Sequence, residues 1–286
     1  PPLTPHSPVF PTHRSSELDT VYEDHTLVIN NGRILNILPT SESSKQYQST
    51  NTLDLKQHAL IPGLINTHTH CAMSLLKGLA DDLPLMDWLQ NHIWPAEQKW
   101  VSPEFVRDGT ELAIAEMLRS GTTCFNDMYF FPDETARVAS HVGMRVNIGL
   151  IMIDFPTVWA SNADEYLKKG IDVRDQFRGN PLITTAFAPH APYTVSDEPL
   201  EKIRSFAEAM DIPVHMHIHE TAGEVASAET EKGQRPLARL NDLGLITPRM
   251  LAVHMNQLNH DDTHLITKTG THAIHLPGTN SQYKAK

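Results

Sequence analysis

Cysteine is nearly absent from these 286 residues: Cys71 and Cys124 are the only two. That count excludes a disulfide framework and a Cys-x-x-Cys metal knuckle, and it fits a reducing cytoplasm. Basic charge is also short, with 23 Lys+Arg against 34 Asp+Glu for a formal net charge of −11. The lysines and arginines are scattered rather than clustered, which argues against nucleic acid or an anionic membrane as partner. No run approaches the ~18 consecutive apolar residues of a membrane-spanning helix. The proline-containing N-terminus lacks the apolar stretch of a secretory signal. The expected location is therefore cytoplasmic.

Histidine is what the chain has in excess, with 17 copies. The hydrophobic content of 40% is modest but sufficient for one large core. Residues 1–20 are proline- and serine-rich without periodicity and read as disordered or foreign to the fold. Residues 21–58 read as a small β subdomain. In it, Thr26–Ile29 and Arg33–Leu38 are strands around an Asn30-Asn31-Gly32 turn, Ser41–Thr52 is a polar loop, and Leu53–Leu55 returns as a further strand. From Ala59 onward strands and helices alternate, the signature of parallel βαβ units in an α/β barrel. Residues 59–280 are assigned to that barrel and 281–286 to a tail outside it.

The stretch Leu60-Ile61-Pro62-Gly63-Leu64-Ile65-Asn66-Thr67-His68-Thr69-His70 reads as a buried strand ending in two histidines. Side chains at i and i+2 of a strand share a face, so His68 and His70 can converge on one point. A bare His-x-His can equally be two polar residues where a strand meets solvent. The later strand ends decide between these readings. His190, His217, His254 and His275 also stand at or just past the ends of expected strands. In a parallel barrel those ends open at one mouth, where catalytic residues gather.

Asn66-Thr67-His68-Thr69-His70, Ala188-Pro189-His190-Ala191-Pro192-Tyr193, His217-Ile218-His219-Glu220-Thr221 and His254, in this order, closely resemble the amidohydrolase superfamily. Within it the likeness is greatest to the 5'-methylthioadenosine/S-adenosylhomocysteine deaminases and runs from about Val21 to Asn280. The resemblance implies a (β/α)8 TIM-like barrel with a small N-terminal β subdomain. It implies that His68, His70 and His217 bind one divalent metal, zinc first and iron(II) as the alternative. Three neutral imidazoles would leave a position for water, whose pKa the ion lowers toward ~7. The implied reaction is hydroxide attack on purine C6 with loss of ammonia.

By the same resemblance, Glu220 shuttles a proton to the ring nitrogen, which requires a partly desolvated carboxyl. Taken alone it would read as a helix-start glutamate. His254 matches the histidine that positions the water or polarises the transition state, and His190 one that contacts substrate. Glu97, in Trp94-Pro95-Ala96-Glu97, matches the glutamate that binds the ribose hydroxyls. Trp88 and Trp94 form either an apolar wall for the substrate or core packing. His215 and His219 share the spacing of His217 but read as packed residues, Asp127 as a structural acceptor, and Cys71 as a small packed residue. An arginine that some members use for the substrate tail has no counterpart, since Leu150 or Ile151 stands in that region. The choice among methylthioadenosine, S-adenosylhomocysteine and adenosine stays open.

The sequence also departs from the family. The seventh-strand motif is matched by His275-Leu276-Pro277-Gly278-Thr279-Asn280, and nothing after it supplies the aspartate that ends the family's eighth strand. The expectation is a truncated deaminase, about seven strands with two unpaired edges and a site one ligand short. The alternatives are another amidohydrolase of the guanine deaminase or triazine hydrolase type, or a non-catalytic metal-binding relative. A small-molecule nucleoside is the expected partner, and the oligomeric state is open, a homo-oligomer included.

Overall fold

A computed structural model of the chain describes residues 20–80 and 82–277. The expectations for residues 1–19, for the Gly278-Thr279-Asn280 end of the seventh-strand motif and for 281–286 lie outside the described residues. The chain divides into two compact units, Pro1–Pro62 and Gly63–Lys286.

In the first unit, β1 (His25–Asn30) and β2 (Arg33–Pro39) form an antiparallel hairpin. Its turn needs two left-handed residues, and Asn31 (φ 49°) and Gly32 (φ 72°) supply them. Two expectations fail here. Helix α1 (Thr40–Gln46) replaces part of the polar loop, with Glu42 and Lys45 placed favourably at its two ends. Leu53–Leu55 forms no strand, and Leu53 is 84% exposed.

The second unit holds a seven-stranded sheet in the order β3-β4-β5-β6-β7-β8-β9, every pair parallel. The strands are β3 (Leu64–Thr69), β4 (Thr122–Tyr129), β5 (Arg145–Met152), β6 (Ile183–Pro189), β7 (Val214–Ile218), β8 (Met250–His254) and β9 (His272–Ile274). The first strand is shorter than its apolar run: Leu60 and Ile61 precede it and are exposed. Pro62 and Gly63 explain the late start, since Pro62 lacks an amide proton and Gly63 lies against the Thr123 side chain. A 3₁₀ turn (Cys71–Leu76), α2 (Leu85–Trp88), a π turn (Leu89–Ile93), α3 (Trp94–Trp100) and α4 (Pro103–Arg119) connect β3 to β4. Helices α5 (Pro132–Val142), α6 (Ala163–Gln176) and α7 (Asp197–Met210) fill the next crossovers, α8 (Ala222–Lys232) and α9 (Pro236–Asp242) the β7–β8 crossover, and α10 (His260–Thr269) the last. Among the described residues, no helix is long and apolar enough to cross a membrane.

The ends of the helices follow their local sequence. Ser102 accepts from the Phe105 amide ahead of Pro103 in α4, and Asn259 with Asp262 makes a reciprocal capping box for α10. Gly143 and Gly270 end α5 and α10 in the left-handed conformation. The buried core contains Phe125, Ile148, Phe187, Met216 and Ile218.

The sheet curls. Strands β3 and β7 are four places apart, about 19 Å across a flat sheet, yet His68 Nε2 and His217 Nε2 are 3.1 Å apart. A polar ladder crosses the strands beneath these histidines. Asn126 Nδ2 donates to Thr67 O (3.0 Å), Asn147 Nδ2 to Asn126 Oδ1 (2.8 Å), and Thr184 Oγ1 to Asn147 Oδ1 (2.9 Å). Each bond contributes about 1 kcal/mol net, and leaving a partner unpaired would cost more. The ladder therefore fixes the register of β3 to β6.

Gly149 in β5 sits where no side chain fits. A Cβ there would lie 2.5 Å from Asp127 O and 2.9 Å from Ala188 Cβ, and the carbonyl cannot yield without shifting β4. Gly149→Ala should therefore lower Tm by roughly 2–10 °C, measured by circular dichroism. An unchanged Tm would contradict this packing.

Candidate metal centre and active site

The mouth of the curled sheet gathers histidines from separate strands. Strand β3 brings up His68 and, one residue past its end, His70, while β7 contributes His217. One nitrogen from each lies within 4.8 Å of the others. His68 Nε2 is 3.2 Å from His70 Nε2 and 3.1 Å from His217 Nε2, and the His68 ring stands nearly perpendicular to both.

The opposite ring nitrogens determine which atoms face inward. His70 Nδ1 donates to Met128 O (2.6 Å) and His217 Nδ1 to His190 O (2.8 Å). Carbonyls only accept, so both Nδ1 atoms carry the proton and both Nε2 atoms present lone pairs. Burial, reinforced by the neighbouring histidines, holds the pKa of His68 and His217 well below the ordinary value; burial also lowers that of His70. The rings are therefore neutral at neutral pH. Facing these two acceptors, His68 Nε2 either donates to one of them or, with its proton on Nδ1, adds a third lone pair around one point. The donor set, neutral imidazole nitrogens around one point, fits zinc or iron(II).

Asp127 anchors this arrangement from behind. Its Oδ1 accepts from Thr69 Oγ1 and the Cys71 amide, both at 2.8 Å, and so holds the residues on either side of His70. Cys71 is buried, and burial pushes its thiol well above the ordinary value, as befits a packed, unreactive residue. His190 turns its backbone carbonyl to His217, while its Nδ1 pairs with Thr194 Oγ1 at 3.0 Å.

His254, at the end of β8, stacks on His217 with ring centroids 5.3 Å apart. Its Nε2 lies 3.5 Å from Glu220 Oε1. Burial, then the charge of Glu224, pushes the Glu220 carboxyl up to about 8, and burial lowers His254 to about 4. At neutral pH the pair is a protonated acid beside a neutral imidazole.

The loop bearing Glu220 is held tightly. Glu224 accepts from the His219 amide through Oε1 (3.0 Å) and from the Glu220 amide through Oε2 (2.8 Å). His219 has a φ of 56°, which costs roughly 1–2 kcal/mol for a residue with a side chain. Its carbonyl accepts from the Asn256 and Gln257 amides, and its Nε2 from the Leu237 amide. The sequence reading missed Glu224; its position three residues after Thr221, the α8 cap, was the available signal.

Glu97 lies on α3, buried, and Oε1 accepts from Tyr129 Oη at 2.8 Å. Burial raises its carboxyl to about 7 despite that hydrogen bond. The Tyr129 ring in turn lies 6.4 Å from that of His70, so Glu97 stands near the histidine cluster. Trp94 meets Phe155 edge-on at 5.7 Å, a partner not foreseen from sequence. Trp88 and Trp94 both pack on the small cluster Leu85, Leu89 and Ile93, so each has a packing role. Leu150 lies against Gly170 of α6, on the helix side of β5.

Comparison with known proteins shows what the chain is similar to. The Amidohydrolase family matches residues 59–283. A 5-methylthioadenosine/S-adenosylhomocysteine deaminase from Saccharophagus degradans is 50% identical over 273 residues, 96% of this chain and 60% of that protein. The crystal structure of an adenosine deaminase from Xanthomonas campestris with bound zinc superposes with a TM-score of 0.90 at 51% identity, over 93% of this chain and 60% of that one. A guanine deaminase from C. acetobutylicum with bound guanine has a TM-score of 0.81 at 19% identity, covering 92% of this chain and 65% of that one, a likeness of fold alone. The chain thus spans about 60% of the length of the deaminase relative it matches.

The buried Glu97 makes a stability prediction. Its folded value of about 7 stands above the ordinary 4.5, so the native chain holds a proton that the unfolded chain has released. The resulting stabilisation is complete below the ordinary value and is lost as pH rises through about 7. Glu97→Gln carries no such dependence. Its unfolding free energy relative to wild type, from denaturant titrations, should rise between pH 5 and pH 8, with an upper bound of about 3 kcal/mol. A difference that is flat with pH would contradict the burial of an ionisable carboxyl here.

Proposed function

Given that the chain belongs to the amidohydrolase family, we propose that it is a metal-dependent deaminase of adenosine-type nucleosides. It converts 5'-methylthioadenosine or S-adenosylhomocysteine to the inosine analogue and ammonia. The observation that carries this reading is the Glu220–His254 pair, a proton-bearing carboxyl 3.5 Å from a neutral imidazole that stacks on His217. The names of the relatives, a methylthioadenosine/S-adenosylhomocysteine deaminase and an adenosine deaminase, support a nucleoside over a free base.

His68, His70 and His217 would hold one divalent ion, with zinc favoured by the zinc-bound relative. When bound, the ion supplies the Lewis acidity that makes water a nucleophile at neutral pH. In the net reaction a C6–O bond forms, the C6–N bond breaks, and the amino group leaves as ammonia with a proton taken from water. Glu220 is the group that moves protons: its carboxyl, pushed up to about 8, can give one to the purine ring nitrogen and recover one from the water. His254, neutral and held against Glu220, orients the water and polarises the developing charge. Glu97 binds the ribose hydroxyls, His190 contacts the substrate, and Trp94 with Phe155 lines the apolar part of the nucleoside. Trp88 supports that wall from the Leu85–Ile93 cluster. The two unpaired cysteines support a reducing cytoplasm. The scattered basic residues support a small-molecule partner rather than nucleic acid.

Ammonia release from methylthioadenosine, S-adenosylhomocysteine, adenosine and guanine, assayed on the zinc-loaded chain, tests this reading. The nucleosides should be turned over and guanine should not. Glu220→Gln should lower kcat by about 10²–10⁴-fold with zinc content unchanged. A zinc-loaded chain that releases ammonia from guanine alone, or from none of the four, would overturn the assignment.

Binding has its own signature. The ionised Glu97 accepts two hydroxyl hydrogen bonds better than the acid, so nucleoside affinity should rise as pH passes about 7. Tyr129 is the group that faces it. Glu97→Gln should weaken binding by roughly 10–100-fold at pH 8 and abolish this pH dependence. Calorimetry on Glu220→Gln protein, where turnover is suppressed, reads both effects.

A further inference from the structure

Two of the three clustered histidines are oriented by backbone carbonyls, Met128 O for His70 and His190 O for His217. The third is not. His68 Nδ1 meets a side chain, His215 Nε2, at 2.9 Å, across the barrel from β3 to β7. His215 precedes His217 by two residues on β7, so both point to the barrel interior, with His215 one layer deeper. It is fully buried, and its ring stands at 72° to that of His68 with centroids 5.0 Å apart.

The proton arrangement follows from these contacts. For His68 to offer a lone pair from Nε2 alongside His70 and His217, its proton must sit on Nδ1. That N–H then donates to His215 Nε2, which has to be the bare nitrogen. His215 therefore carries its own proton on Nδ1, an atom with no hydrogen-bond partner among the described residues. A buried polar atom without a partner is costly, and an apolar residue of similar size would avoid that cost. What His215 offers in exchange is the acceptor that His68 Nδ1 meets.

We propose that His215 is a positioning residue for the metal site, which fixes His68 in the Nδ1–H tautomer and aims its Nε2 at the ion. This rests on the reading of His68, His70 and His217 as metal ligands, but not on the identity of the substrate. Outer-shell partners of this kind typically govern metal affinity by 10–100-fold. The role differs from that of its neighbours in one respect. A backbone carbonyl cannot be removed by mutation, whereas this acceptor can.

The test measures zinc affinity by competition with a chromophoric chelator, on the whole chain, with circular dichroism as the check of folding. His215→Leu should raise the zinc dissociation constant about 10–100-fold. His215→Gln, whose amide oxygen can stand near the position of Nε2, should recover affinity to within about 3-fold of wild type. Nitrogen-15 histidine spectra of the zinc-loaded wild-type chain supply a readout that a mere packing role would not move. They should show His68 protonated at Nδ1 and His215 protonated at Nδ1 with Nε2 bare. Folded His215→Leu protein with wild-type zinc affinity would overturn the proposal, as would spectra in which His215 Nε2 carries the proton. If His215→Leu fails to fold, the wild-type spectra and the Gln variant decide the matter. Failure of the wild-type chain to bind zinc would overturn the metal reading itself, and this proposal with it.

Discussion

The constraint on which the site depends is the convergence of imidazole nitrogens at the barrel mouth. Two carbonyls compel His70 and His217 to donate outward, so their Nε2 atoms face His68 as acceptors. Such an arrangement presents two bare nitrogens at one point, and the surrounding structure holds it. Asp127 clamps Thr69 and Cys71, and the Asn126–Asn147–Thr184 ladder fixes the strands below. The curl of the sheet brings β3 and β7 together. Neutral nitrogens held in this way fit one divalent ion, at the expense of packing that apolar residues would do better.

Desolvation then sorts the remaining titratable groups. The same burial acts in opposite directions on acids and bases, because it disfavours whichever form is charged. The histidines of the mouth are pushed down, His190 to about 3 and His254 to about 4. The carboxyls are pushed up, Glu97 to about 7 and Glu220 to about 8. Near neutral pH the mouth thus holds bare imidazoles beside a proton-bearing Glu220, an inversion of their order in water. Groups separated in this way are what the proposed hydrolytic deamination would use: a neutral ligand set, a proton carrier, and an acceptor for the sugar.

The strand-end histidines were legible in the sequence from periodicity, while the roles of Glu97, Glu220 and His254 came only from the family resemblance. Spacing of i and i+2 on a strand places His68 and His70 together whatever the tertiary context. Strand ends recurring with histidine mark one end of a parallel sheet. The short strand Met250–His254 was read with its observed bounds, since a compact apolar run leaves little choice. What was not legible depends on contacts between segments distant in the chain. Tyr129 and Glu97 are 32 residues apart, and His68 and His215 are 147 apart, so no local pattern signals either bond. Leu60 and Ile61 misled because an apolar run names a buried segment without saying where pairing begins. Helix α1 was missed because a serine-rich segment has weak helix propensity, and it is set by its ends rather than by an apolar face.

The central claim is a single ion held by three imidazoles, and X-ray absorption at the zinc edge of the zinc-loaded chain tests it most directly. The account predicts one zinc per chain and the multiple-scattering pattern of three imidazoles in a nitrogen and oxygen shell near 2.0–2.1 Å. That pattern should lose one imidazole or vanish in His217→Ala. A shell without imidazole scattering, or one unchanged in His217→Ala, would contradict it.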